Sequence, residues 1–310
     1  QHDCDPLTID LGATTECEAT VQNLAPVAAA AQLTVSGPKA RQLEITQFDA
    51  PAKKNGPNGF TWKGTLSPAL PPTVDSVEPG ESPAGGYLPL TGITPVAGMG
   101  DETIVNFNVP AFKFGSETYT RIGATSNGYA VVGGGTGADV EFDPPDDLPD
   151  AARPNNVLAP FWTDLNFADG GALRAAFASG GGMTWLILDW AAVPEFGTDG
   201  AVTNTFQIWI RLGATEDITY AFGDINGDGT AEGLIVGAEN RDGTSGATYD
   251  AVPVEGDQLV VLTSPPTPGG SQTIGYQAVG NVAGVWTLRA AASSSVTTGT
   301  TIDEVNITVE

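Results

Sequence analysis

Histidine is almost missing: the 310 residues hold one, His2, beside the N-terminus. A Ser–His–Asp triad needs an imidazole held between nucleophile and carboxylate, and a second-position His gives little to hold it. No Gly-x-Ser-x-Gly elbow or His-Glu-x-x-His zinc motif stands in for it. Gly133-Gly134-Gly135-Thr136-Gly137 is glycine-rich, but no Lys follows, so it reads as a wide hairpin turn rather than a phosphate cradle. No catalytic residue is assigned, and the chain is not expected to be an enzyme. Basic residues are scarce as well. Twelve Lys and Arg face 37 Asp and Glu, for a formal charge of −25. Nucleic acid and anionic membrane surfaces are thereby excluded as partners, because phosphate binding needs clustered cations. No apolar run reaches the roughly 18 residues of a spanning helix, so no membrane insertion is expected. The acidity instead points to solubility, divalent cations or a salty environment.

Cysteine is limited to Cys4 and Cys17. Close in sequence within a Gly-rich β-protein, they are expected to form a disulfide, which constrains the unfolded chain by about 3 kcal/mol. A disulfide places the protein outside the cytoplasm, secreted or on a cell surface. The chain opens at Gln1, with neither Met nor an apolar leader, which reads as processing or as excision from something longer.

What is abundant is turn chemistry. Gly (40) and Pro (23) make up about a fifth of the chain, while 41% of residues are hydrophobic, so a folded core is expected rather than disorder. These breakers cluster between short β-branched runs, and long amphipathic helical periods are absent. The fold class is all-β: two β-sandwich domains, the second inserted into the first. Residues 1–95 alternate in the manner of an immunoglobulin-like sandwich, as in Cys17-Glu18-Ala19-Thr20-Val21 and Phe60-Thr61-Trp62-Lys63. The proline-rich stretch 67–100 reads as an extended crossing between domains. Residues 96–263 form the second domain. Its centre is Asn155-Asn156-Val157-Leu158-Ala159-Pro160-Phe161-Trp162-Thr163-Asp164-Leu165-Asn166, where Pro160 is expected to stop the strand. Trp185-Leu186-Ile187-Leu188-Asp189-Trp190 reads as a central strand, apolar on both faces. Residues 264–310 supply three strands, too few for a domain, and are expected to return to residues 1–95 and complete that sandwich.

Five runs carry a family resemblance: Phe112-Lys113-Phe114-Gly115-Ser116-Glu117-Thr118-Tyr119, Ser126-Asn127-Gly128-Tyr129, Ala159-Pro160-Phe161-Trp162-Thr163-Asp164-Leu165-Asn166, Asn204-Thr205-Phe206-Gln207-Ile208-Trp209 and Val236-Gly237-Ala238-Glu239-Asn240. In that order they resemble the nidogen-like extracellular domain. They are similar above all to its version in the non-catalytic C-terminal region of large secreted bacterial subtilases, where a conserved-repeat (Ig-like) sandwich flanks it. The resemblance implies an extracellular accessory module and carries no catalytic set onto this chain. Any protease would lie upstream, outside it.

The sharpest candidate for site chemistry is Asp224-Ile225-Asn226-Gly227-Asp228-Gly229, which matches the opening of a calcium loop. Asp224, Asn226, Asp228 and Thr230 stand at alternate positions. The acid expected at the twelfth position is Ile235, so Glu232, at the ninth, is the substitute ligand. Ca2+ is the one cofactor expected; the competing reading is an Asn-Gly and Asp-Gly hairpin turn. Asp143, Asp146, Asp147 and Asp150 could form an acid/base pair, but in a Pro-rich loop they read as solvated charge. Asp164 and Asn166 read as turn caps before ion ligands. The function expected is adhesion or binding of extracellular protein, matrix or glycan, on a face marked by exposed aromatics. The alternative is a structural subunit of a filament or surface assembly, a homopolymer joined by donation of the C-terminal strand Glu304-Val305-Asn306-Ile307-Thr308-Val309.

Overall fold

Strands dominate because apolar residues recur at every second position. In Thr14–Gln22 the side chains of Thr15, Cys17, Ala19 and Val21 point inward and their neighbours face water. The computed structural model describes residues 1–230 and 232–310. Residues 1–70 with 267–310 form one unit, and residues 71–266 form the other.

The first unit has a four-stranded sheet ordered His2–Asp5, Thr14–Gln22, Ser271–Gly280, Leu43–Phe48. Its six-stranded partner is ordered Thr8–Ile9, Thr301–Val309, Gly284–Ser294, Ala29–Ser36, Gly59–Leu66, Lys53–Lys54. Ser271–Gly280 lies antiparallel between two N-terminal strands, and Ile307 and Val309 share one core with Leu33, Phe60 and Trp62. Each fully buried large side chain there contributes roughly 2 kcal/mol. Cys4 and Cys17 face each other on adjacent strands and are disulfide-bonded. His2 is buried, its Nε2 hydrogen-bonded to the Tyr276 hydroxyl, and burial holds its pKa below the usual value.

The second unit pairs two six-stranded sheets. One runs Gly246–Thr248, Ile235–Glu239, Val157–Trp162, Ala130–Val132, Glu117–Thr125, Ile104–Phe114. The other runs Ala172–Gly180, Met183–Pro194, Thr203–Arg211, Ile218–Ile225, Gln258–Ser264, Thr73–Pro79. Phe161 stacks on Phe206 between them at 5.5 Å, and Trp190 Nε1 donates across to the Thr125 carbonyl at 2.9 Å. Trp162 points the other way, against Tyr129 at 4.3 Å, and donates to the Glu141 carbonyl. Val157–Trp162 is therefore buried on both faces.

Three expectations change. The first unit ends at residue 70, not 95. Thr73–Pro79 pairs with Gln258–Ser264 as an edge strand of the second unit, a place where the flanking prolines cost no ladder hydrogen bond. The stretch 67–100 is not simply a crossing, because Leu90 is buried against Trp185, Ile187 and Trp209. Pro160 does not stop its strand. The strand runs from Val157 to Trp162, with the register shift between Ala159 and Trp162 absorbing the missing amide.

Candidate functional site

Asp224 is the penultimate residue of the strand Ile218–Ile225, and Asn226, Asp228 and Glu232 follow it, all exposed. This stretch is held from beneath. Asn204 Oδ1 accepts the amides of Asn226 and Gly227, both at 3.0 Å. Glu195 Oε1 accepts Asn204 Nδ2 at 3.0 Å and the Gly229 amide at 3.2 Å. A Cβ on Gly227 would lie 1.9 Å from Glu195 Oε1, so a side chain here would push the Glu195 carboxylate off the Asn204 and Gly229 donors it holds. Asn226 spends its Nδ2 on the Thr203 carbonyl, and the Thr230 hydroxyl faces Thr163 Oγ1 at 3.2 Å. Among the described residues, Asp224, Asp228 and Glu232 do not gather into a three-carboxylate group.

Glu195 belongs to no motif, Asn204 opens one of the five runs that carry the family resemblance without being marked there as a brace, and both are buried. Their partners come from chain neighbours in space, so only an Asn and a Glu bracketing a hairpin hinted at them. Replacing Glu195 by Ala strands the buried Asn204 amide and the part-buried Gly229 N–H and is expected to cost about 2 kcal/mol, read as a lowered urea midpoint at unchanged slope. An unchanged midpoint would show that water serves the donors equally well.

The acidic group that does assemble is elsewhere. Ligand oxygens of Asp101, Glu102 and Asp164 all lie within 4.8 Å of one another. Asp164 follows the strand Val157–Trp162 and is 6% exposed. Its Oδ1 has no hydrogen-bond partner. Burial, then the charges of Glu102, Asp101 and Glu232, push its carboxyl up to about 6. Fully buried Asn127 braces the group. Its Nδ2 reaches both Glu102 oxygens, at 3.3 and 3.1 Å, and its Oδ1 accepts the Leu165 amide at 3.2 Å. Burial also raises the Glu102 pKa, against the pull of Asn127. Asn166 caps a 3-10 turn by accepting the Ala168 amide at 2.8 Å. The two residues read alike from sequence thus divide: Asn166 caps, and Asp164 does not.

The Asp143–Asp150 segment bounds an open recess with Arg153 and Trp162. Asp147 accepts from Leu148 and Thr248, and Asp150 from the Ala152 amide, which are loop-fixing bonds. The tryptophans do not mark a face: Trp62, Trp162, Trp185, Trp190 and Trp209 are buried and Trp286 is half-buried. Inward strand positions take the largest apolar area. Exposed aromatics are instead Phe142, Phe177 and Phe196.

The family described as NIDO related matches residues 81–261. The chain belongs to the NIDO-related family. That match spans most of the second unit and includes the Asp164 group and the Asp224 turn. No curated protein and no solved structure matches the chain. NIDO-related domains are a non-catalytic, β-rich domain type. The family and the Cys4–Cys17 disulfide together indicate an extracellular protein. No helix among the described residues is long and apolar enough to cross a membrane.

Proposed function

We propose that the chain is a non-catalytic extracellular module for adhesion or for binding extracellular protein or matrix, working as the accessory region of a secreted subtilase. The NIDO-related match over residues 81–261 supports the non-catalytic module, and the five runs that resemble the version in secreted subtilases support the accessory role. The chemistry of the chain supports it: the single histidine is buried against Tyr276 rather than poised beside a nucleophile. Protein is favoured over glycan as ligand, because the second unit has an edge strand whose unpaired backbone groups match an extended peptide. Phe177 stands exposed on Ala172–Gly180, an edge strand of the second unit. An edge strand offers unpaired amides and carbonyls to an extended partner.

Surface plasmon resonance against immobilised extracellular matrix protein tests the reading. Binding is expected, and Phe177→Ser is expected to weaken it about tenfold. Retention on a glycan array with none on protein would reverse the choice of ligand. The filament reading requires Thr301–Val309 to leave a core that Ile307 and Val309 fill. Long particles in negative stain, in place of a monomer by light scattering, would favour it.

A further inference from the structure

Asp164 presents an uncompensated charge problem. A carboxylate that is 6% exposed normally accepts several hydrogen bonds or faces a cation. Its Oδ1 is buried with no partner. Among the described residues no Lys, Arg or His pairs with Asp164, Asp101 or Glu102. The two nearest carboxylates make matters worse, and the Glu232 charge adds to them. Asn127 spends its amide holding Glu102 in this crowd instead of relieving it. Two arrangements satisfy such a group: a proton on Asp164, or a cation among the oxygens.

Geometry favours the cation. Oxygens that share a calcium ion sit about 2.4 Å from it, so any two are at most about 4.8 Å apart. The ligand oxygens of all three residues meet that limit. The elements bearing them are fixed independently: Asp164 follows a strand buried on both faces, and Glu102 is tied to Asn127 in the Ser126-Asn127-Gly128 turn. Asp101 and Glu102 are exposed, which leaves an open side for water ligands and for entry. Three carboxylates, with Glu232 near, supply hard oxygen donors and a surplus of negative charge. That chemistry selects calcium over soft metals, and over magnesium, which demands tighter octahedral geometry.

We propose that Asp101, Glu102 and Asp164 form a calcium site at the end of the second unit, with Asp164 as its buried anchor. The site is distinct from the Asp224–Glu232 turn, apart from Glu232, whose charge both share. It stands whether or not the binding-module reading holds.

The test is isothermal titration of calcium chloride into the full EDTA-stripped chain, with melting curves in EDTA and in calcium. One site per chain is expected, with Asp164→Asn weakening affinity at least about 30-fold and Glu102→Gln about tenfold. The double variant Asp224→Asn/Asp228→Asn should bind within about twofold of wild type. Stability should cross over. In EDTA Asp164→Asn melts at or above wild type, because a buried charge is gone; in calcium wild type melts higher, because only it gains from the ligand. No heat and no melting shift up to about 10 mM calcium, beyond the weakest extracellular modules, would overturn the proposal and leave a protonated Asp164. So would an Asp164→Asn chain that binds like wild type, or loss of all binding in the Asp224→Asn/Asp228→Asn double variant.

Discussion

Gly128→Ala is expected to destabilise the second unit by about 4 kcal/mol, lowering its melting temperature by roughly 10 °C. Gly128 sits at φ +77°, a region that costs an L-residue about 1–2 kcal/mol. A Cβ there would also lie 1.9 Å from the Phe161 carbonyl oxygen. Backbone cannot rotate aside as a side chain can, so the turn or the strand must shift. The strand is Val157–Trp162, buried throughout. Moving the turn instead strains the Phe161 amide bond to the Gly128 carbonyl and the Thr163 amide bond to the Asn127 carbonyl, each 3.3 Å, at about 1 kcal/mol apiece. Gly137→Ala is the control. It has no positive φ and nothing within 4 Å of its Cβ, and is expected to stay within about 0.5 kcal/mol of wild type. Urea denaturation of both variants checks this; equal midpoints would mean that the turn relaxes freely.

How much of this was legible in the sequence depends on how local each determinant is. The first unit's strands were readable because Thr15, Cys17, Ala19 and Val21 alternate with polar residues, a pattern that needs no partner to be seen. The edge strand Thr73–Pro79 was hidden by its prolines, which are harmless only because that strand has a neighbour on one side. Ala172–Gly180 has no β-branched residue, and it holds as a strand by pairing along its whole length with Met183–Pro194. At the site the same division appears. The Asp224 turn is a contiguous motif and was visible at once, but Asn204 and Glu195, which fix it, belong to neighbouring segments. Asp164 resembled its neighbour Asn166 until Asp101 and Glu102 were brought beside it by the sheet. Sequence spacing reports on groups within a turn; a buried carboxylate is defined by groups that only the fold supplies.

The two units should respond to acid in opposite directions. In the second, Asp189 is fully buried in the strand Met183–Pro194. Burial pushes its carboxyl up to about 6, against the pull of Gln207, Tyr87 and Arg174. Arg174 stands 3.9 Å from Oδ2, which has no hydrogen-bond partner. Unfolded, this group titrates near 3.8, so between those values the folded unit holds a proton that the unfolded chain has released. Its stability is therefore greatest below about pH 4 and falls as pH rises through 6, by about 3 kcal/mol for a shift of about two units. Glu239 acts in the same sense: burial, opposed by the Asp150 amide, pushes it up to about 7. Asp139 opposes them only at more acid pH. Burial raises it, but Thr136 and Arg153 together hold it below 3.8. In the first unit the sign reverses. Burial lowers the His2 pKa from 6.5, so the unfolded chain takes up a proton that the folded unit refuses. That stability is present above about pH 6.5 and is lost as pH falls below it. Scanning calorimetry of the chain in EDTA should therefore show two transitions that diverge from pH 7 to pH 5, the second unit's rising and the first unit's falling. Asp189→Asn should flatten the first trend and His2→Asn the second, which also assigns each transition to its unit. Transitions that move together would show that neither buried group governs the response, and an Asp189→Asn chain with the full wild-type slope would show that others among the chain's 37 acids set the second unit's trend.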